Sequence, residues 1–189
     1  RAVYFEDFIY GSIDGSVTTF AIVAGVIGAS LSPEIILILG FGNLFADGFA
    51  MAAGSYHASK ARNQFVEMKR KQEEWEIDNM AEQEKDEIRE IYKKKGFKDE
   101  LLEEIIKTIT SRRKVWVDTM MKEELGLIED KKGPLDSSVS TFVGFNLIGV
   151  IPLIPFMILI FMGINTTSES FVYSIISVMV AFFLVGMIK

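Results

Sequence analysis

Apolar residues in this chain of 189 residues fall into long runs at its two ends, separated by a stretch in which they recur at helical spacing. The runs at about 8–30 and 34–57 predict two membrane-length helices joined by the Leu31-Ser32-Pro33 turn. Those at about 139–163 and 171–188 predict two more, with Asn165-Thr166-Thr167 in the loop at 163–170. Within the third run, Gly149-Val150-Ile151-Pro152-Leu153-Ile154-Pro155 breaks the helix ladder at membrane depth, which is tolerated only where protein or water covers the freed carbonyls. From Ala58 to about Asn79 no turn residue intervenes, so the second span is expected to continue as one long helix. A further helix follows at about 82–95 with Ile88 and Ile91 on one stripe, ended by Gly96 behind Lys93-Lys94-Lys95. The next begins at Lys98 or Asp99 and buries Leu102, Ile105, Ile106 and Ile109. Ser111 is expected to cap a last helix through Val115, Trp116, Met120 and Leu125, ended by Gly126, and Gly133-Pro134 marks the return to the membrane. The predicted fold is all-α: a polytopic helical membrane protein with a helical insert between spans two and three. Its parts are a first hairpin at 1–57, the insert at 58–136 and a second hairpin at 137–189.

Composition sharpens this division. Of the 20 Lys and Arg, 18 lie between Ala58 and Asp136, as do 20 of the 26 Asp and Glu, so the flanks are almost free of charge. The excess of Lys and Arg places the insert in the cytosol, and an even number of spans puts both ends on the same side. A signal peptide fits poorly, because the first span lacks a basic start and another follows at once. Without cysteine there are no disulfides or thiolate metal sites. A net charge of −6 and no basic, aromatic-interleaved stripe exclude nucleic acid as a partner.

Two carboxylates stand out against the apolar background, Asp14 at the mouth of the first span and Asp47 inside the second. A carboxylate in a span is unfavourable by roughly 2.5–3.5 kcal/mol, so it reads by default as part of an ion or proton path. Met51 lies one turn after Asp47 and Asn43 one turn before it, adding a thioether and an amide to the same stripe. Gly11 and Gly15 flank the turn that carries Asp14, and Gly25 and Gly28 are expected to extend a small-residue face along that helix. In the insert, Glu73 with Glu76 and Glu84 with Glu87 are three apart, and Met120, Met121 and Glu124 share a face of the last helix. Carboxylates suit divalent cations, and thioether sulfur adds a preference for softer metals. The bland alternatives are a solvated acidic face for the glutamates and core filling for the methionines. His57, the single histidine, sits at the edge of a span, and no Glu-x-x-His pair is present for a di-iron oxidase.

Four blocks together resemble the vacuolar iron transporter family: YGSIDGSVTT at 10–19, NLFADGFAMAAGSY at 43–56, VWVDTMMKEELGL at 115–127 and GVIPLIPF at 149–156. The resemblance covers essentially the whole chain. It implies a transporter, not an enzyme, that moves Fe2+ out of the cytosol in exchange for protons, with Mn2+, Co2+ or Zn2+ as other divalent substrates and no organic cofactor. It also implies a homodimer in the bilayer, in the plasma membrane of a prokaryote or the vacuolar membrane of a eukaryote. The family's pore aspartate and methionine fall on Asp14 and Met51, and its cytosolic metal ligands on Glu73, Glu76, Glu84, Glu87, Met120, Met121 and Glu124. Two departures follow. Asn43 stands where plant members carry a glutamate, with Asp47 a turn later, so the coupling carboxylate differs. The family has five spans and this sequence shows four, so a fifth is expected either beyond it or to be lacking. The competing function is a membrane-tethered metal buffer or sensor without transport, which would have no use for Asp14, Asp47 and Met51.

Overall fold

The computed structural model describes residues 3–127, 132–163 and 167–187. Among the described residues, eight α-helices follow in order: α1 (Val3–Gly28), α2 (Pro33–Asn79), α3 (Ala81–Lys94), α4 (Asp99–Thr110), α5 (Arg113–Glu123), α6 (Pro134–Gly149), α7 (Ile154–Met162) and α8 (Thr167–Met187). A single 3-10 turn, Ile151–Leu153, joins α6 to α7, and no β-strand occurs among the described residues. The stretches Tyr4–Gly28, Pro33–Asn79 and Pro134–Met162 contain windows long and apolar enough to cross a membrane. The fourth expected span falls in α8, where the described apolar stretch Phe171–Phe183 is shorter. Of the loop expected at 163–170, residues 164–166 lie outside the described residues. The chain divides into two compact units, one of residues 1–60 and 132–189, the other of residues 61–131.

In the first unit α1 and α6 run parallel and almost touch. A Cβ on Gly11 would run into the Thr141 carbonyl, one on Gly15 into the Phe145 carbonyl, and one on Gly144 into the Phe8 carbonyl. Close backbone approach of this kind is how helices gain van der Waals contact in lipid, where apolar burial alone drives nothing. Gly25 and Gly28, expected to extend that face, have nothing within 4 Å of a Cβ position. The close contact therefore stops near the middle of α1. Beyond it, Val23 and Val26 of α1 pack with Ile36 and Leu44 of α2, Phe145, Leu153 and Phe156.

The predicted break in the third span is the 3-10 turn. Pro152 and Pro155 have no N–H, so the regular ladder lapses there. One freed group is satisfied from α8: the buried Ser174 hydroxyl donates to the Pro152 carbonyl at 2.9 Å.

The second unit builds its core from one face of each helix: Ile77 of α2, Ile88 of α3, Leu102, Ile106 and Ile109 of α4, and Trp116, Val117, Met120 and Met121 of α5. The end of α3 has the expected glycine, with Gly96 at φ +98. The Phe97 N–H reaches the Tyr92 carbonyl and the Gly96 N–H reaches that of Lys93, which closes the helix in a Schellman motif. At α5 the expected cap is displaced. Arg112, not Ser111, occupies the cap position, with no side-chain cap bond. The Ser111 hydroxyl turns back to the Thr108 carbonyl at 2.7 Å and belongs to the end of α4.

Candidate metal site

The glutamates of the second unit fall into two groups. Several are tied to a cation: Glu67 to Lys71 at 2.7 Å, Glu82 to Lys85 at 2.7 Å, Glu103 to Arg89 at 2.9 Å, and Glu123 to Lys95. These are exposed or half-exposed pairs of the kind worth little to stability. Glu73 and Glu84 differ. They lie one turn before the core residues Ile77 and Ile88, and their side chains are carried into the same interior. Glu73 is 2% exposed and Glu84 3% exposed, and the Oε2 of each is buried without a hydrogen-bond partner. A buried carboxylate oxygen left without a donor is unfavourable unless a proton or a cation meets it.

A third carboxylate completes the group. Oxygens of Glu73, Glu84 and Glu124 all lie within 4.8 Å of one another, with Glu124 at the exposed rim. Three helices supply them. The short link at Met80 between α2 and α3 brings Glu73 and Glu84 together, and Glu124 follows the last turn of α5. Burial pushes the Glu73 carboxyl up to about 7, helped by the charges of Glu124, Glu76 and Glu87, with Lys69 opposing. Burial does the same at Glu84, also to about 7, with Glu87 and Glu73 the next largest contributors. Glu124 is raised as well, by burial and then by Glu87 and Glu76. Glu73 and Glu84 therefore hold protons in part near neutral pH unless positive charge replaces them.

The expected ligands thus separate. Glu73, Glu84 and Glu124 form the cluster; Glu76 and Glu87, both half-buried, act on it electrostatically without joining the closest three. Met120 and Met121 are 0% and 2% exposed and sit in the apolar core, on the helix that leads to Glu124. In the first unit, Asp14 and Met51 are half-buried, Asp47 is exposed, and Met51 packs on the apolar core. Asn43, expected to offer its amide oxygen to the stripe, uses its amide N–H to reach the Thr18 hydroxyl at 3.2 Å. His57 is exposed, with its ring edge-on to Tyr56.

Sequence reasoning missed the polar contacts at the other end of these helices, among Asp7, Ser55 and Ser137. Serines on an apolar run carry no signal of their own. Sequence reasoning named Glu73 and Glu84 together with Glu76 and Glu87, and only the isoleucine one turn after each of the first pair marks them as the buried ones.

Comparison with known proteins bears on the family of the chain. The model of the VIT family matches residues 5–189. A vacuolar iron transporter of Plasmodium falciparum is 37% identical over 189 residues, covering 97% of this chain and 69% of that protein. One from Toxoplasma gondii is 40% identical over 157 residues, covering 82% of this chain and 52% of the relative. Vacuolar iron transporter 1 of Arabidopsis thaliana is 31% identical over 185 residues, covering 97% and 72%. With a family match over nearly its whole length and relatives above 30% identity, the chain belongs to the VIT family.

Proposed function

We propose that this protein transports divalent metal across a membrane, with Fe2+ the main substrate and Mn2+ the second, in exchange for protons and out of the cytosol. The observation that carries the reading is the cluster of Glu73, Glu84 and Glu124, in which the first two bury a carboxylate oxygen without a donor, in a chain whose relatives are named vacuolar iron transporters. In this reading residues 61–131 collect the ion on the cytosolic side. Glu73 and Glu84 are protonated in part near neutral pH, so loading a divalent cation there releases protons. Glu76 and Glu87 add field, and the Met120 and Met121 sulfurs favour a softer ion over Mg2+. Translocation uses Asp14 and Met51, with Asp47 a turn from Met51 as the coupling carboxylate in place of the residue at Asn43. Two copies of the chain pair so that Asp14 and Met51 are doubled about a two-fold axis.

The test is Fe2+ flux into proteoliposomes, with and without a pH gradient. Asp14→Ala is expected to abolish flux while leaving Fe2+ binding by the glutamate trio intact. Near-normal flux in that variant removes Asp14 from the path. No flux in the parent under any gradient favours a membrane-tethered metal buffer instead.

A further inference from the structure

Below the level of Asp14 and Met51, three helices of the first unit meet at one side chain. Ser137, in the first turn of α6, is 2% exposed, and its hydroxyl donates to Asp7 Oδ2 of α1 at 2.7 Å. The Ser55 hydroxyl of α2 lies 2.8 Å from the same Ser137 oxygen. A serine hydroxyl has one proton, and that of Ser137 is committed to Asp7, so Ser55 is the donor in the second bond. The result is a directed chain, Ser55 to Ser137 to Asp7, that ends on a carboxylate. Lys132 stands beside the same carboxylate, 3.5 Å from Asp7 Oδ2 and 3.6 Å from Glu6 Oε2.

The positions give this chain its meaning. On α2, Asn43, Asp47, Met51 and Ser55 follow one another at four-residue steps along one edge, and on α1 Asp7, Asp14 and Thr18 share an edge. The helices run in opposite directions from the turn between them. At the turn end Asn43 donates to Thr18 at 3.2 Å; at the far end Ser55 reaches Asp7 through Ser137. At about 1.5 Å per residue, the tied points are about 18 Å apart on α2 and about 17 Å on α1. The two edges are thus pinned at nearly matching lengths, with Asp14, Asp47 and Met51 between the pins. Helix α1 has other ties to α6 at this end. Ser140 donates to the Tyr4 carbonyl at 2.6 Å, and the Tyr4 hydroxyl to Asp136 Oδ2 at 3.2 Å. Loss of the Ser137 hydroxyl would therefore leave α1 on α6 and release α2 in particular.

We propose that Ser137 is a positioning residue of the transport path: through Ser55 it fixes the rotation and height at which α2 presents Met51 to the ion that Asp14 holds. Ser137 touches neither the ion nor Met51. The inference rests on the transport reading above, and it assigns Asp7 the role of hydrogen-bond acceptor, not of ion ligand.

The test uses the full chain in proteoliposomes, with initial rates for Fe2+ and Mn2+ over a range of concentrations. Ser137→Ala is expected to lower the maximal Fe2+ rate roughly tenfold, since a small misplacement of a reacting group has effects of this order or larger. The half-saturating concentration stays within about twofold, because the collecting glutamates are untouched. Ser137→Thr keeps the hydroxyl and restores most of the rate. Asp7→Asn keeps an acceptor oxygen and is also close to the parent, whereas Asp7→Ala is not. The Fe2+ to Mn2+ rate ratio falls in Ser137→Ala as it does in Met51→Leu, and adding Ser137→Ala to Met51→Leu leaves the ratio where it was. Parent-like rates and ratio in Ser137→Ala overturn the proposal, as does an equal fall in ratio in both backgrounds. An Asp7→Asn variant as impaired as Asp7→Ala overturns the acceptor role. Asp14→Ala, run in parallel, separates the two levels. If it transports normally, the path reading itself fails; if it is inactive while Ser137→Ala is normal, only the positioning role falls.

Discussion

A carboxyl held at about 7 instead of its ordinary 4.5 is disfavoured as an anion by roughly 3 kcal/mol, and Glu84 is such a group. The sign follows from proton counting. The folded, metal-free protein binds more protons than the unfolded chain between about pH 4.5 and 7, so its stability rises as pH falls through that window. Above about pH 7 the penalty is present in full. Glu84→Gln keeps the shape and removes the charge, so without metal it is expected to stabilise the protein at pH 8 and change little at pH 4.5. The gain is bounded above by the roughly 3 kcal/mol of the charge and reduced by the need to bury an amide, leaving about 1–2 kcal/mol. Repulsion between Glu73 and Glu84 is mutual, so the gains from replacing both will not add. For a unit the size of residues 61–131, each kcal/mol moves the melting temperature by about 4–8 °C. The chain's 2 tryptophans, Trp75 and Trp116, both lie in that unit, so intrinsic fluorescence of the intact detergent-solubilised protein reports on it selectively. The melts are run in chelator at pH 4.5 and 8, then with Mn2+. With metal the order reverses, because the parent gains binding energy that the variant has lost. A variant less stable than the parent at pH 8 in chelator, or one with an unchanged pH slope, would refute the idea of a site strained until an ion enters it.

Gly144→Ala puts a methyl group against the Phe8 carbonyl and is expected to destabilise the first unit by about 1–3 kcal/mol, whereas Gly54→Ala, with open space around it, is neutral or better; equal melting temperatures would refute the contact. Met120 and Met121 are core residues, so their sulfur is best tested by Met120→Leu with Met121→Leu, which keeps the volume. Titration calorimetry of the intact protein should then show weaker Co2+ binding with Mn2+ nearly unchanged, and parallel losses would leave the methionines as packing alone.

The long helix α2 was legible because nothing between Ala58 and Asn79 can stop a helix, and α3 because Gly96 can. The start of α5 was not. Ser111 looks like a cap in sequence, but in the structure the same hydroxyl finds the carbonyl one turn behind it first. The small-residue face of α1 was half legible. Glycine shows where a close approach is allowed, but only α6 decides that Gly11 and Gly15 use it and Gly25 and Gly28 do not. The glutamates of the trio were named from resemblance and from three-residue spacing. What makes Glu73 and Glu84 different from Glu82 or Glu103 is burial beside Ile77 and Ile88, with an oxygen of each left without a hydrogen-bond partner, and both depend on packing between helices. The Ser55, Ser137 and Asp7 chain joins residues as far as 130 apart, and no local pattern announces it.

That same separation sets a schedule for the ribosome. Helix α1 emerges first, but the helix it packs on, α6, is made only after the whole of residues 61–131, a delay of roughly 7–26 s at about 5–20 residues per second. Through that interval α1 must wait with its α6-facing side unmet. Two of its hydroxyls wait safely, because Ser12 and Ser16 are bonded to the Phe8 and Ser12 carbonyls of their own helix at 2.7 and 2.9 Å. Asp14 has no such shelter, and the Thr19 hydroxyl, buried in the finished fold, has no partner there either. A nascent chain stalled before Pro134 therefore displays a marked, incomplete helix to the insertion and quality-control machinery. The groups that serve the finished protein would make its unfinished form easy to recognise and remove.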